Sequence, residues 1–368
     1  MIGMESSAIR PGGLNRYFDD LADELERMGV TVQRIRYCSE VSGPDAMKSG
    51  LLRRLFFYLQ AGFKDTSDVV DSHFALYGLA FMAGKFLHNP FASARVITHF
   101  QGPWFAESVL ATGRRRLANN VKYLVEKIAY RRSDVFVVLS REFEKTLIHT
   151  FGIEPERVCI IPPGVDTEKF SPPPDGIVRS QGESRDGTAT ICAVRRLDHR
   201  MGLDIAVRAV ALLDQRVELK IAGDGRERDA LRALADQIGV AERVHLLGRL
   251  KDHEIVDLYR SSTCSVVPTR ALEGYGLVVL ESLGCGTPVI ASRTGGLIDA
   301  LEEFDETLLV EPESPAALAN RIEDLLAGQR PTLDSCRQRA LAQTWHAIAR
   351  RHIESAYGLA DSVNVRDL

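Results

Sequence analysis

The stretch Pro268–Gly296, PTRALEGYGLVVLESLGCGTPVIASRTGG, carries the signals that decide the fold. It reads as the end of a strand, a glycine-rich turn, a short helix ended by Gly284 and Gly286, a second strand and another glycine turn. Because strands that alternate with helices form parallel sheets covered by those helices, this order predicts an α/β domain.

The turn before this short helix has the features of an anion-binding site. Gly274 and Gly276 let a ligand approach the backbone closely. A helix that begins near Gly276 presents unpaired N–H groups and the positive end of its dipole, which suits a pyrophosphate. Glu281, about one helical turn beyond Leu277, can accept hydrogen bonds from ribose hydroxyls, and Glu273 can accept them from sugar hydroxyls.

Both glutamates also have a simpler interpretation as surface charges, and that interpretation suits Glu273 taken alone. Glu281 differs because its neighbours in the helix are apolar and predicted to be buried, and a buried charge needs a partner. These neighbours are Val278, Val279, Leu280 and Leu283.

The same alternation of strands and helices continues along the 368 residues, a length that suggests two domains. The predicted strands of the first half are Val30–Tyr37, Asp68–His73, Arg95–Phe100, Asp134–Ser140 and Arg157–Pro162. Those of the second half are Thr188–Val194, Val217–Ala222, Val244–Gly248, Cys264–Pro268, Pro288–Ser292 and Thr307–Val310. The predicted helices include Leu14–Met28, Leu117–Arg131 and Arg226–Ile238.

A break separates the two halves. Pro162-Pro163-Gly164 ends a strand, and Ser171–Gly187 lacks hydrophobic periodicity and is rich in proline, glycine and charge. We interpret it as a linker or surface loop between two α/β domains. At the amino terminus only Met1–Met4 precedes the polar turn around Gly12-Gly13, so the first strand is either very short or incomplete in this sequence.

Composition excludes several classes of protein. Hydrophobic residues make up 45% and charged residues 26%, and the net charge of -4 argues against a nucleic-acid binder. No secretory signal opens the chain and no apolar run reaches the ~20 residues that span a bilayer, so we expect a cytoplasmic protein. The cysteines form no CxxC pair, which predicts buried free thiols. They are Cys38, Cys159, Cys192, Cys264, Cys285 and Cys336.

The segment EGYGLVVLE, followed by CGTPVIAS, resembles the retaining glycosyltransferases of family 4, also called group 1, with Tyr275 where phenylalanine is usual. The resemblance covers nearly the whole chain. Its other parts are VCIIPPGVDTEKF at Val158–Phe170, LKIAGDG at Leu219–Gly225, VHLLG at Val244–Gly248, the helix Asp252–Tyr259, and Gly12-Gly13 with Arg16.

The resemblance implies a GT-B fold, in which two Rossmann-like domains face each other across a cleft. The acceptor-binding domain would comprise residues 1–163 plus about 345–368, because the last helix returns to it, and the donor-binding domain would comprise residues 164–344. The implied reaction moves a sugar, a hexose by expectation, from a UDP-sugar or GDP-sugar. The acceptor would be a glycan, a lipid-linked sugar or a small molecule in polysaccharide or glycoconjugate synthesis.

The loop Arg196-Leu197…Gly202 resembles the family's diphosphate-binding loop, with Met201 where a lysine is usual. Arg200 is placed to supply the second cation. The residues themselves support this role, because a basic turn after a buried strand suits phosphate oxygens. The alternative is a solvated basic turn.

Two histidines end predicted strands, where α/β sheets place their ligands. The resemblance puts His99 close to the reacting sugar, and His73 could line the acceptor side with Arg16. A satisfied structural hydrogen bond is the alternative for either histidine.

The resemblance implies that the leaving diphosphate takes the acceptor proton in a front-side attack, with retention of configuration. No Asp-x-Asp occurs in the chain, which agrees with a site that needs neither a metal nor a cofactor. The predicted catalytic residues are His99, Glu273, Arg196 and Arg200. The predicted donor-binding residues are Gly12, Gly13, Arg196, Arg200, Gly223, Leu247, Glu273, Gly274, Tyr275, Gly276, Leu277, Val278 and Glu281.

The two halves differ in charge. Residues 1–163 contain 21 Lys and Arg against 18 Asp and Glu, whereas the rest contains 25 against 32. Lys48–Lys64 joins aromatic residues to four cations, and Arg114–Arg132 is a second basic cluster. These segments could contact the anionic inner face of a membrane if the acceptor is lipid-linked. The alternative is a solvated helix face that packs its apolar residues inward.

Three other classes of function have weaker support in the sequence. A nucleotide-dependent oxidoreductase needs G-x-G-x-x-G, which neither Gly223-Asp224-Gly225 nor Gly274-Tyr275-Gly276 completes. A P-loop phosphotransferase needs GxxxxGK[ST], which the chain lacks. A catalytically inactive nucleotide-sugar-binding protein on the same fold stays open, because a fold does not fix a function.

Overall fold

The computed structural model of the protein describes residues 1–4, 12–37, 50–89, 94–105, 117–173 and 187–359. The chain divides into two compact units. Unit 1 comprises Met1–Pro163 with Trp345–Leu368, and unit 2 comprises Gly164–Thr344. Most of the predicted linker, residues 174–186, lies outside the described residues, as does Cys38.

Unit 1 is built on a parallel sheet with the strand order β1-β2-β3-β4. Its strands are β1 Val69–Ser72, β2 Arg95–Phe100, β3 Val135–Val138 and β4 Val158–Ile160. Its helices are α1 Gly13–Arg27, α2 Leu51–Phe63, α3 Ala75–His88, α4 Leu117–Tyr130, α5 Arg141–Phe151 and, from the end of the chain, α13 Trp345–Arg351. A π-helical turn, His352–Tyr357, continues α13.

Isolated bridges of one residue pair each connect the amino terminus to this sheet. Ile2 forms isolated parallel bridges with Ser72 of β1 and with Ile35. The predicted strand Val30–Tyr37 is therefore wrong in the described residues, since only Ile35 pairs. Among the described residues, the pairing consists of the Gly3 N–H donating to the Ile35 carbonyl and the Ile35 N–H donating to the Met1 carbonyl.

The two faces of this sheet have separate cores. On one face, Ile97, Val135 and Val137 pack against α1 and against α13 with its π-helical turn. On the other face, one cluster packs around Val70 and Val96 with α2 and α3, and a second packs around Phe100 and Phe136 with α4 and α5. The two sets of core residues lie on opposite faces of the sheet because successive side chains of a strand point to opposite sides.

Unit 2 contains a six-stranded parallel sheet with the order β10-β9-β8-β5-β6-β7. Its strands are β5 Ala189–Val194, β6 Val217–Ala222, β7 Val244–Gly248, β8 Cys264–Val267, β9 Val289–Ser292 and β10 Leu309–Val310. Its helices are α6 Leu203–Val210, α7 Arg228–Gln237, α8 Asp252–Arg260, α9 Leu277–Gly284, α10 Gly296–Asp305, α11 Pro315–Leu326 and α12 Leu333–Leu341.

This order is that of a doubly wound Rossmann sheet, in which the chain starts at β5, runs outward to β7, and returns to the other side of β5 through β8. Ligands of such sheets bind at the carboxyl ends of the strands where the order reverses. In unit 2 that point lies between β5 and β8.

The predicted α/β fold class is confirmed. Strands Arg95–Phe100, Val217–Ala222 and Val244–Gly248 have the predicted bounds, and apart from Val30–Tyr37 the other predicted strands differ by one or two residues at their ends. Of the cysteines in the described residues, four are buried free thiols and Cys159 is half-buried. No helix in the described part of the chain is long and apolar enough to cross a membrane.

Candidate functional site

Two loops of unit 2 meet where the strand order reverses. The basic turn Arg195–Gly202 follows β5, and the glycine-rich segment Pro268–Gly276 follows β8. Backbone hydrogen bonds hold them together, since the Arg270 N–H donates to the Arg200 carbonyl at 2.9 Å. The two predicted donor-binding motifs of unit 2 are therefore neighbours at the ligand-binding edge of the sheet.

The loop after β8 is held by a buried ion pair that sequence analysis missed. Arg195 Nη2 binds the carboxylate of Glu273 and donates to Thr269 Oγ1 at 2.6 Å. The side chains of Arg195 and Glu273 are only 8% and 14% exposed, so neither charge is a freely solvated surface charge. Arg195 thus fixes the carboxylate that we predict to contact the sugar.

Backbone contacts fix the same loop from two further sides. Leu272 has a φ of 53°, which is uncommon for a residue with a side chain, and its carbonyl accepts a hydrogen bond from Arg200 Nη1. The Gly296 N–H donates to the Glu273 carbonyl at 2.9 Å. Arg200 is predicted as a diphosphate ligand, and its Nη1 also stabilises this loop through the hydrogen bond to Leu272.

Helix α9 starts where the sequence predicts. Its first flanking residue, Gly276, has a φ of 89°, which glycine adopts without strain, and offers no side chain to cap the helix. The first turn of α9 also carries no acidic residue, so an external anion does not meet a competing carboxylate there. Anion binding at the amino end of α9 stays a prediction, and no side chain caps this end of the helix.

Glu281 lies on α9 and is only 5% exposed. Tyr259 of α8 provides a polar contact, with its hydroxyl 3.5 Å from Oε2. Val279, Leu280 and Leu283 are fully buried around it as predicted, whereas Val278 is half-buried. The interpretation of Glu281 as an ordinary surface charge is therefore wrong.

Arg196 differs from its neighbour Arg195. Its side chain is exposed and makes no hydrogen bond or ion pair within the described residues. Met201, at the position where the family usually has lysine, is 7% exposed and contributes to the core. The guanidinium of Arg196 is therefore accessible to a ligand from solvent. Met201 supplies no charge at the position of the family's lysine.

The remaining predicted donor residues are placed as follows. Tyr275 is 3% exposed, and its hydroxyl exchanges hydrogen bonds with Gln343, so only its backbone is available to a ligand. Gly223 directly follows β6 and packs against the loop after β5. An added Cβ at Gly223 would lie 1.8 Å from the Arg195 carbonyl oxygen. Leu247 on β7 is 40% exposed. Gly274, Leu277 and Val278 are all half-buried around the start of α9.

In unit 1, the predicted residues His73 and His99 belong to a buried polar cluster around Asp71, which sequence analysis missed. Asp71 Oδ1 lies 3.1 Å from His99 Nε2 and 3.5 Å from His73 Nε2, and the two imidazoles stack with centroids 3.8 Å apart. All three side chains are less than 5% exposed. They come from the ends of β1 and β2, which are adjacent strands.

The end of the chain completes this cluster. Tyr357 donates its hydroxyl to Asp71 Oδ2 at 2.6 Å. His352 donates from Nδ1 to the Ile348 carbonyl at 2.8 Å, so its Nε2 accepts the hydrogen bond of 3.1 Å from the Tyr17 hydroxyl. The π-helical turn brings His352 and Tyr357 to the same side, with ring centroids 5.9 Å apart.

Burial and charge together set the proton affinities in this cluster. Burial alone would raise the pKa of Asp71, but the nearby His99 and then His73 lower it well below its usual range. Burial lowers the pKa of His99 despite the opposing effect of Asp71, and lowers the pKa of His352 to about 3. Asp71 is therefore the anion of the cluster, and His99 and His352 are neutral at pH 7.

Asp71, His73 and His99 are also a group that could hold a metal ion, since their ligand atoms all lie within 4.8 Å of one another. The lone pair of an imidazole nitrogen lies in the plane of its ring. The planes of His73 and His99 are stacked at 14°, so an ion in the plane of one ring would lie out of the plane of the other. The two stacked rings therefore cannot both direct a lone pair at the same ion.

The cluster predicts an acid-sensitive unit 1. In the unfolded chain histidine has a pKa of about 6.5, whereas that of the folded His352 is about 3, so lowering the pH from 7.5 to 5.5 protonates His352 only after unfolding. The free energy of unfolding should fall by about 1.4 kcal/mol from His352 over this interval. Asp71 contributes nothing in this window, because its stabilisation is lost only as the pH falls below about 4.

Urea unfolding followed by tryptophan fluorescence measures this effect, because both tryptophans, Trp104 and Trp345, belong to unit 1. The variant His352→Gln should show a flatter dependence on pH. The control His149→Gln, at an exposed histidine of unit 1, should keep the wild-type dependence. An unchanged dependence in His352→Gln would contradict the assignment of a neutral buried His352.

Gly12, Gly13 and Arg16 lie at the amino end of α1. Gly12 and Gly13 are exposed, and Gly12 accepts the Arg16 N–H through its carbonyl at 3.0 Å. Residues 5–11, which precede this turn, lie outside the described residues. The helix that this turn opens contacts the cluster, since the rings of Tyr17 and Phe18 lie 5.7 and 5.0 Å from that of His73.

The fold and these motifs define a glycosyltransferase of the GT-B class, and comparison with family models supports this. The model for glycosyl transferases group 1 matches residues 176–343, and the model for glycosyltransferase family 4 matches residues 11–169. Together they cover most of both units. The chain belongs to the group 1 and family 4 glycosyltransferases.

Named relatives agree with this membership. The chain is 37% identical over 195 residues to a D-inositol 3-phosphate glycosyltransferase of Acidothermus cellulolyticus, a match that covers 50% of this chain but less than half, 43%, of that protein. It is 27% identical over 377 residues to the Corynebacterium jeikeium protein of that name, covering 89% of this chain and 87% of the relative.

Solved structures show the same fold. Sucrose-phosphate synthase from Thermosynechococcus elongatus superposes with a TM-score of 0.78 at 24% identity, covering 98% of this chain and 96% of that one. HepE from Anabaena, solved in complex with UDP and glucose, gives a TM-score of 0.72 at 19% identity over 96% of this chain and 98% of that one.

Proposed function

We propose that this chain transfers a hexose from a nucleoside-diphosphate sugar to an acceptor, with retention of the anomeric configuration and without a metal ion. The observation that carries the proposal is that the turn after β5 contacts the loop that leads to the uncapped amino end of α9, where the strand order of unit 2 reverses. In that turn Arg196 is exposed and has no partner among the described residues. Unit 2 is accordingly the donor-binding domain and unit 1 the acceptor-binding domain.

Each group of this edge has a role that its chemistry suits. Arg196 and the N–H groups of α9 stabilise the negative charge that develops on the leaving diphosphate. Glu281 accepts hydrogen bonds from the ribose, and Glu273, held by Arg195, accepts them from the sugar. Arg200 contributes positive potential while it braces Leu272.

The absence of an acidic metal-binding motif from the sequence supports a leaving group stabilised by cations and dipoles alone. In a front-side reaction the departing phosphate takes the acceptor proton, so no separate general base is assigned. In unit 1, His99, His73, Arg16 and the turn at Gly12 and Gly13 are proposed as site residues on the family resemblance.

The order in which donors and acceptors should be tested follows from two observations. HepE was solved with UDP, and the relatives' names include an inositol phosphate acceptor. A UDP-sugar is the first donor to test and a GDP-sugar the second. A phosphorylated cyclitol is the first small-molecule acceptor to test, because several relatives are named for inositol phosphate. Glycans and lipid-linked sugars at the cytoplasmic face of a membrane follow.

A nucleotide-sugar-binding protein without activity is the second candidate, and the burial of Met201 is the observation that favours it. The loop then lacks the lysine charge that the family uses, and Arg200 is already bonded to the Leu272 carbonyl. Binding and transfer measured on the same protein separate the two candidates.

The donor site predicts nucleotide-dependent stability. A nucleoside diphosphate at about 100 times its dissociation constant should raise the free energy of unfolding by about 2.7 kcal/mol, because it binds only the folded state. Thermal unfolding with UDP, GDP and ADP, alone and as their sugars, measures this and identifies the base. We expect one base to stabilise the protein and the others to have little effect.

Matched variants locate the bound nucleotide. Arg196→Ala and Glu281→Gln should reduce the stabilisation, whereas Arg208→Ala and Glu242→Ala, at exposed positions of the same unit, should leave it unchanged. If no nucleotide stabilises the wild-type protein, or if the control variants lose as much as the site variants, the proposed donor site is wrong.

A further inference from the structure

Unit 1 carries an outer helical layer formed by α2, α3 and α4, in which α3 packs against both neighbours. The described residues contain twelve exposed large hydrophobic side chains, and eight of them lie on these three helices. The eight are Leu51, Leu52, Phe56, Phe63, Leu87, Val121, Leu124 and Ile128. Such a concentration on one layer is not the scattered exposure that ordinary surfaces show.

Helix α2 is apolar on both of its faces. Tyr58 is fully buried on the inner face and stacks on Tyr77 of α3. Leu52, Phe56 and Phe63 follow the opposite face at helical spacing, with exposures of 82%, 59% and 46%. The sequence alternative, in which this segment packs its apolar residues inward and leaves a solvated polar face, therefore does not describe α2.

Helix α4 has the same two-sided pattern. Tyr130 packs into the core, whereas Val121, Leu124 and Ile128 lie on the outer face, between 40% and 58% exposed. The ends of the layer join at α3, where the ring of Phe63 lies 4.7 Å from that of His88 and Arg132 lies over the ring of Phe86. Helices α2 and α4 thus both pack against α3.

The charge of this layer has one sign. Helices α2 and α3 contain no Asp or Glu, and the single acidic residue of α4, Glu126, is 1% exposed and accepts hydrogen bonds from Trp104 and Tyr130. The exposed charges on the helices and within two residues of their carboxyl ends are cations, whereas the exposed Asp68 and Asp134 lie further along the following loops. The cations include Arg53, Lys64, Arg131 and Arg132.

We propose that the outer face of α2 and α4 docks on an anionic lipid bilayer. Exposed leucine and phenylalanine side chains suit insertion among the headgroups, and the cations suit the negative surface potential of acidic lipids. An acidic protein surface would match the cations but not a wide layer of apolar side chains on two helices. The predicted cations Lys48 and Arg114 lie outside the described residues and are not needed for this conclusion.

Co-sedimentation with vesicles tests the proposal on the full chain. Wild-type protein should bind vesicles that contain 30% phosphatidylglycerol in phosphatidylcholine, and should bind pure phosphatidylcholine at least tenfold less. The variants Leu52→Glu/Phe56→Glu and Leu124→Glu/Ile128→Glu should each reduce binding at least tenfold. The control Leu212→Glu/Leu341→Glu, at two exposed leucines of unit 2, should bind like the wild type.

Three outcomes would overturn the docking surface: no binding of the wild type to anionic vesicles, equal loss in the control, or a dimer that the α2 variant converts to a monomer without any vesicle binding. The last outcome would assign the face to a second copy of the chain. Nucleotide-dependent stabilisation, measured on every variant, checks folding. It also distinguishes failure of this proposal from failure of the donor site, which lies in unit 2.

Discussion

Replacing Asp71 by alanine is expected to lower the free energy of unfolding of unit 1 by about 3–5 kcal/mol. The change removes the one anion of a buried cluster and leaves His73, His99 and the Tyr357 hydroxyl without their charged partner. Breaking a buried charge cluster from one side costs this much, because the remaining polar groups stay buried and unpaired.

Urea unfolding at pH 7.5, followed by tryptophan fluorescence, measures the loss in unit 1. The control Asp68→Ala removes an exposed carboxylate three residues earlier and should change the free energy by less than about 0.5 kcal/mol. Tyr357→Phe should cost about 1.5–3 kcal/mol, and the double variant should cost less than the sum of the two, since both remove the same hydrogen bond. If Asp71→Ala is no worse than the control, the cluster does not stabilise unit 1.

The second large effect concerns the donor site. Arg196→Ala should lower kcat/KM for sugar transfer by about 10²–10³-fold, which is typical for the loss of one group that stabilises developing negative charge. Arg196 is the candidate because its guanidinium is exposed and unpaired within the described residues, unlike that of Arg195.

Matched variants make this prediction specific. Arg208→Ala removes an exposed arginine from α6 of the same unit and should leave kcat/KM within about twofold. Met201→Lys, which restores the family's usual residue, should not replace Arg196, since position 201 faces the core. Full activity of Arg196→Ala would show that another group carries the diphosphate.

The proposed donor site of unit 2 was the part most open to prediction, because its glycine-rich turn, helix start and carboxylates lie within one short stretch. The glycine-rich turn predicted the start of α9, and the apolar neighbours of Glu281 predicted its burial. Local chain geometry is enough for such features, since they depend on residues only a few positions apart.

The cluster of unit 1 could not be predicted in the same way. Asp71 and Tyr357 lie 286 residues apart, and His352 and Tyr17 lie 335 residues apart. Only the return of the chain end to unit 1 brings these residues together. A carboxylate within an apolar strand was the one available signal for Asp71, since a buried charge requires partners.

The adjacent arginines after β5 show a second reason why the sequence does not predict every part of the site. The sequence presents Arg195 and Arg196 as one basic turn, but consecutive residues at the end of a strand point in opposite directions. Arg195 therefore turns to Glu273, while Arg196 faces solvent. Which member of the pair is free depends on the register of β5, and that register is fixed by its pairing with β6 and β8.

Sugar transfer by the purified full chain, in the presence of EDTA, is the most direct test of the central claim. The nucleotide sugar whose base stabilises the protein should yield free nucleoside diphosphate and a glycosylated product with the donor's anomeric configuration, and the EDTA should not reduce the rate. Nucleotide binding without transfer or donor hydrolysis, across cyclitol phosphate, glycan and lipid-linked acceptors, would contradict the account and leave a nucleotide-sugar-binding protein.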